Sequence, residues 1–143
     1  MVNKTEQHIE DYIFTQTIFE QSVIKIVEKI KESKKQYKNI YPIPRGGLIL
    51  GVYLSHELKL PLITDNITEN TLVVDDICDT GSTLKQFADN DKAVLVTKSK
   101  GLSITNNLIF NITVSNNTWV HFPWENTKNK NKTERQAKLN DYI

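Results

Sequence analysis

The chain has 143 residues, 38% of them hydrophobic, with 18 basic against 17 acidic side chains and a net charge of +1. One domain of ordinary size is expected from that length, and the balanced charge excludes field-driven binding to nucleic acid or a membrane surface. The single cysteine, Cys78, excludes an internal disulfide and a metal cage built from cysteines.

Residues 1–15 carry a mixed signal, for a short strand or helix. The opening Met1–Glu6 is polar and lacks the apolar stretch of a secretory signal. Together with one free thiol, this makes a cytoplasmic location the expectation. Residues 17–37 predict a helix, with Phe19, Val23, Ile26, Val27 and Ile30 on one face and Glu28, Lys29, Lys31 and Glu32 largely on the other. Residues 38–43 predict a strand that runs into Pro42, Pro44 and the sequence Arg45-Gly46-Gly47. Residues 48–58 predict a second helix, apolar enough to be buried, and Pro61 breaks it. Its longest apolar run is far short of the ~20 residues a membrane helix needs.

A short strand is expected at Leu62-Ile63, and an apolar strand at residues 71–74 entering Asp75-Asp76. Thr80-Gly81-Ser82-Thr83 reads as a turn opening a helix over residues 82–88. Residues 93–97, 108–114 and 119–122 predict further short strands, the last closed by Pro123. From Asn126 onward the chain is a polar tail rich in Lys and Asn, expected to be exposed, so residues 1–125 form the domain and 126–143 the tail.

Strands alternating with helices, and apolar strands without polar alternation, predict an α/β fold: a Rossmann-like parallel sheet flanked by helices. Ligands of such sheets bind at the carboxyl ends of the strands. Three polar clusters fall there: residues 44–47, 75–83 and 98–101.

The stretch Leu72-Val73-Val74-Asp75-Asp76-Ile77-Cys78-Asp79-Thr80-Gly81-Ser82-Thr83-Leu84 carries the chemistry. A buried strand delivers two adjacent carboxylates to its exit. A loop rich in hydroxyls then opens a helix, whose N-terminal N–H groups, with those of the loop, make an anion site. Gly81 lets the backbone approach closely. A phosphate beside paired carboxylates implies a sugar phosphate, the carboxylates taking ribose hydroxyls or a hydrated divalent cation. Taken singly, Asp79 is equally readable as a helix cap, and Asp75-Asp76 as a solvated strand end.

This string resembles the phosphoribosyl-pyrophosphate motif of the type I phosphoribosyltransferases. Ile43-Pro44-Arg45-Gly46-Gly47-Leu48 is similar to the pyrophosphate loop of the bacterial and archaeal xanthine-guanine and hypoxanthine members, and residues 118–125, with Trp119 and Pro123-Trp124-Glu125, to their purine-site strand. The resemblance runs in family order from Tyr41 to Glu125. It implies the type I fold, magnesium as cofactor, phosphoribosyl pyrophosphate and a purine base as small-molecule partners, and a homo-oligomer.

The resemblance also implies roles. Asp75 and Asp76 would hold ribose hydroxyls, and Thr80, Gly81, Ser82 and Thr83 the 5′-phosphate. Asp79 would move the proton of a purine ring nitrogen. Arg45 and Gly46 would bind pyrophosphate, with the peptide bond between them cis. Lys98, with Lys100 as its rival, would meet the purine 6-oxo group. Trp119 would stack on the base, against the alternative of plain core, and the Val120 backbone would meet its edge. Trp124 would pack, and Glu125 would help hold magnesium.

The chain departs from the family between Pro61 and Thr71, where nine residues stand in place of a β-hairpin and a long covering hood. The leading expectation is a 6-oxopurine phosphoribosyltransferase with a shortened hood. Two alternatives remain: a non-catalytic module that binds a nucleotide or phosphoribosyl pyrophosphate, and an unrelated phosphate-binding α/β protein with a nucleophile in its site. For the last, Cys78 lacks a nearby activating His or Arg in sequence and is expected to point into the sheet.

Overall fold

The computed structural model describes residues 10–125, and these form two compact units. The tail from Asn126 onward lies outside the described residues. Among those described, no helix is long and apolar enough to cross a membrane.

The smaller unit comprises residues 10–18 and 117–125. Strand β1 (Glu10–Ile13) settles the mixed signal at the start: it pairs in parallel with β9 (Thr118–His121), Asp11 opposite Trp119 and Ile13 opposite His121. Phe14, fully buried, packs on Phe122 at 5.1 Å between ring centroids. Side chains add ties, His121 Nε2 to Asp11 Oδ1 at 2.9 Å and Thr118 Oγ1 to Glu10 Oε1 at 3.2 Å.

The larger unit is residues 19–116. Helix α1 (Gln16–Ser33) buries Phe19, Val23, Ile26, Val27 and Ile30, the face its periodicity implies. It stops four residues short of Tyr37, because Lys34 turns left-handed (φ 62°) and Ser33 Oγ donates back to the Ile30 carbonyl. Strand β2 (Asn39–Pro42) leads to α2 (Leu48–Leu58), ended by Lys59 at φ 58°. Helix α2 is not the buried helix its composition suggests. Leu50, Gly51 and Leu54 face the core, while Leu48, Val52 and Tyr53 are each about 40% exposed. The strand expected at Leu62-Ile63 is a single parallel bridge from Leu62 to Ile40.

Each of the next three strands is interrupted for two residues and then resumes. β3 (Thr71–Val74) continues as β4 (Ile77–Cys78), β5 (Lys92–Ala93) as β6 (Val96–Lys98), and β7 (Leu108–Ile109) as β8 (Ile112–Val114). The parallel order is β2-β3-β5-β7 before the break and β4-β6-β8 after it. Backbone bonds bridge the break: Asp75 N to Ala93 O, Val94 N to Ile109 O, and both Leu95 N and Val96 N to Asp76 O. The pairing is kept across the break, Val74 opposite Ala93 before it and Ile77 opposite Val96 after it, so the sheet bends there without an inserted residue.

The crossover from β4 to β5 lacks the helix expected over residues 82–88. A single 3-10 turn, Leu84–Phe87, stands there. Buried Lys92 and Asn90 hold its far end, with Lys92 Nζ donating to the Phe87 and Asn90 carbonyls and Asn90 Nδ2 to the Thr68 and Thr71 carbonyls. Desolvation holds the Lys92 ammonium below its ordinary pKa. A further helix, α3 (Ser99–Ile104), follows β6 where the sequence shows only a polar cluster.

Candidate phosphoribosyl site

The acidic pair lies in the bend between β3 and β4, not at a strand exit as the sequence suggests. The strand resumes after it. Both side chains are largely withdrawn from water, and Asp75 Oδ1 accepts the Asp76 N–H at 2.9 Å. Burial first, and the charge of Asp76 second, push the Asp75 carboxyl up to about 7. Burial also raises Asp76. Two desolvated carboxylates with no basic side chain between them favour a ligand that brings positive charge or hydroxyl donors.

Residues 75–84 line one continuous cavity. Gly81, at φ 89°, makes the turn that brings Thr80, Ser82 and Thr83 onto it. Thr80 Oγ1 accepts the Ser82 N–H at 3.3 Å and lies 3.1 Å from Ser82 Oγ, so the hydroxyls are grouped on one turn. With a 3-10 turn in place of the helix, the loop offers its amides and hydroxyls without the helix N-terminus expected. Cys78 is buried, with its Sγ 3.6 Å from Thr105 Oγ1.

The segment Ile43–Gly47 lies directly on the acidic pair. Ile43 N donates to Val74 O at 2.8 Å. A methyl group on Gly46 would stand 2.7 Å from the Asp76 carboxyl atoms, and one on Gly47 would overlap the Val74 carbonyl. These two positions require glycine because the loop backbone and the bent strand are in contact. The exposed Arg45 is carried beside them. The cis peptide bond is Pro44–Arg45, one residue before the expected Arg45–Gly46 bond.

Lys98 joins the same site. Its Nζ lies 3.3 Å from Asp79 Oδ1, its side chain only 13% exposed against 60% for Asp79. Lys100 is exposed, and its backbone amide is taken by Asn116 Oδ1. The three polar clusters of the sequence therefore converge: residues 44–47 on Asp76, and Lys98 on Asp79.

Three further contacts escape the sequence. A methyl on Gly101 would stand 2.7 Å from Asp79 O and Cys78 Sγ, and Ile104 and Thr105 lie against Gly81. Gly101 in a polar cluster was the available signal, since a glycine inside a helix is unfavourable unless something packs on it.

The remaining expected residues belong to the smaller unit. Trp119 is half-buried on β9 and Val120 buried. Trp124 stacks on Phe122 at 4.9 Å and 8° between ring planes, the packing role expected of it. The Glu125 carboxylate accepts the Phe122 N–H at 3.4 Å within its own turn.

No family model matches the chain. It is 29% identical over 119 residues to the xanthine-guanine phosphoribosyltransferase of Idiomarina loihiensis, covering 64% of this chain and 73% of that one. Its fold is similar to a purine phosphoribosyltransferase from Pyrococcus horikoshii (TM-score 0.71, 24% identity, 87% of this chain and all of that one). It is also similar to a Neisseria gonorrhoeae protein solved with bound ppGpp (TM-score 0.69, 18% identity, 96% of this chain and all of that one). The parallel sheet flanked by helices is the fold these proteins share.

Proposed function

We propose, on the premise that the chain belongs to the type I phosphoribosyltransferase family, that it transfers a phosphoribosyl group from phosphoribosyl pyrophosphate to a 6-oxopurine. The products are the purine nucleotide and pyrophosphate. The observation that carries this reading is the meeting of Arg45-Gly46, the Asp75-Asp76 pair and the Asp79–Lys98 pair on one loop system, supported by the likeness to purine phosphoribosyltransferases.

In this reading a purine ring nitrogen bonds to the anomeric carbon as the bond from that carbon to pyrophosphate breaks. Positive charge develops on the sugar, and the nitrogen's proton leaves. Asp75 and Asp76 orient the ribose through its hydroxyls. The loop amides and the hydroxyls of Thr80, Ser82 and Thr83 hold the 5′-phosphate. Asp79 accepts the proton. Arg45 and the Gly46 amide meet the leaving pyrophosphate. Lys98 donates to the 6-oxo group. Trp119, Val120 and Glu125 are assigned to the base and to magnesium on the sequence resemblance alone.

Among the described residues no cluster of three or more His, Cys, Asp or Glu forms a metal cage. Magnesium, however, is ordinarily held by one or two carboxylates together with substrate phosphates. The Asp75-Asp76 pair, two half-buried carboxylates short of positive charge, fits that use. When bound, the ion would spread the leaving group's charge.

A second reading, a nucleotide-binding regulator without turnover, is favoured by the short interval at residues 62–70 and by the neighbour that binds ppGpp. One assay separates them. The purified chain is supplied with phosphoribosyl pyrophosphate, magnesium and, in turn, hypoxanthine, guanine, xanthine and adenine. Nucleotide formation with an oxopurine and rejection of adenine is expected, because a 6-amino group would set donor against donor at Lys98. Equal use of adenine refutes the 6-oxopurine assignment. Tight mononucleotide binding without transfer to any base selects the regulator.

A further inference from the structure

A phosphate-binding loop in an α/β sheet is commonly seated on the helix that follows it. In this chain the following element is one 3-10 turn, tied to the loop by Lys85 N donating to Gly81 O. The other side of the loop is filled by α3, whose contacts run along it in order. At its entrance Lys98 Nζ meets Asp79 Oδ1 at 3.3 Å. Within it, Gly101 brings the helix backbone against Asp79 O and Cys78 Sγ, with room for no side chain. At its end, a methyl on Gly81 would stand 2.9 Å from Thr105 Oγ1 and 3.2 Å from Ile104 Cγ1. Lys98 and Thr105 flank α3 in extended conformation and Gly101 lies inside it, so the three contacts run the length of the element.

We infer that α3 is the element that holds loop 78–81 in its ligand-taking form, with Lys98 and Gly101 as positioning residues. The inference rests on the reading of that loop as the phosphoribosyl site. Lys98 runs its stem through the interior and delivers its ammonium to a carboxylate that is itself mostly in solvent. That arrangement fixes Asp79, and with it the turn into Thr80 and Gly81, whether or not a base is present. Gly101 fixes the backbone of the same residue from behind. The role is therefore distinct from a contact between Lys98 and a purine carbonyl, and a ligand without a base separates the two.

The test is calorimetric titration of ribose 5-phosphate, which has the phosphate and ribose hydroxyls but no base. It is applied to the full chain and to Lys98→Met, Lys98→Arg and Gly101→Ala, with circular dichroism melts as the control for folding. Lys98→Met and Gly101→Ala are each expected to weaken binding about ten-fold or more, as for a site whose groups are misplaced by a fraction of an ångström. Lys98→Arg, which still reaches the carboxylate, is expected to stay within about three-fold of the parent. Should Gly101→Ala fail to fold, Lys98→Met, which keeps the aliphatic stem, carries the test. Folded Lys98→Met binding ribose 5-phosphate as tightly as the parent overturns the inference and leaves Lys98 a base contact only. Absence of binding by the parent chain overturns the phosphoribosyl reading of the loop itself, a separate and recognisable result.

Discussion

Asp75 Oδ1 accepts the backbone N–H of Asp76 at 2.9 Å, and the Asp76 carbonyl accepts the amides of Leu95 and Val96 from the neighbouring strand. The two acidic residues are thus held in succession where the sheet breaks, their backbone tied to the neighbouring strand. Their proximity is a property of the backbone, present before any ligand arrives.

That arrangement has a pH signature. Burial, and then the Asp76 charge, raise the Asp75 carboxyl from 3.8 to about 7. Because the folded value lies above the unfolded one, the stability this group contributes is fully present below about pH 4 and is lost as pH rises to about 7. Asp75→Asn, which cannot ionise, is expected to stabilise the ligand-free chain by about 0.5–2 kcal/mol at pH 8 and to change little at pH 4. It should lose ribose 5-phosphate binding at both. Melting curves at the two pH values check this, and an equal shift at both would contradict it.

Gly46 and Gly47 touch different parts of the bent strand and should fail differently. A methyl at Gly46 meets the Asp76 side chain, which can yield. Gly46→Ala is expected to fold and to weaken pyrophosphate binding about ten-fold. A methyl at Gly47 meets the Val74 carbonyl, which cannot yield without breaking the strand. Gly47→Ala is expected to cost about 1–3 kcal/mol of stability. Pyrophosphate titration and chemical denaturation of both variants make the comparison, and unchanged pyrophosphate affinity in Gly46→Ala would remove the loop from the site.

Asp79→Asn keeps the shape and one acceptor oxygen but cannot take the proton. Turnover with an oxopurine is expected to fall roughly 10²–10⁴-fold, the range for a general acid–base group. Mononucleotide affinity should fall far less. Steady-state kinetics beside a binding titration test the split, and parental turnover in the variant would exclude the assigned role.

The interval at residues 62–70 is held low on the sheet. Leu62 bridges Ile40, while Thr71 is in register with Asn39, so the chain returns to nearly the height at which it left. Thr68 is pinned by its amide to Thr71 Oγ1 and by its carbonyl to Asn90 Nδ2. With pyrophosphate on the loop at residues 44–47 as proposed, a segment so short and so tied is expected to leave it uncovered, and water is expected to compete with the purine. Pyrophosphate release without purine should accompany nucleotide formation. Tightly coupled transfer by the purified chain would show that another segment or another copy covers the site.

The sequence by itself determined the chemistry of one contiguous stretch and the elements around it. Residues 72–84 place carboxylates, hydroxyls and a glycine within thirteen positions, so their proximity needs no long-range contact. The strand at residues 71–74 and the helix at 48–58 were legible for the same reason, each being a local pattern bounded by its own breakers. The tertiary structure alone decided that the acidic pair sits where the sheet breaks and that Lys98, not Lys100, meets Asp79. It also decided that Lys92, in the polar stretch Asp89-Asn90-Asp91-Lys92, is buried to hold two carbonyls. These depend on which side of one strand faces the next. The break interrupts that alternation at the same level in three neighbouring strands, and it is set by hydrogen bonds between segments some twenty residues apart, such as Asp76 with Leu95 and Val96.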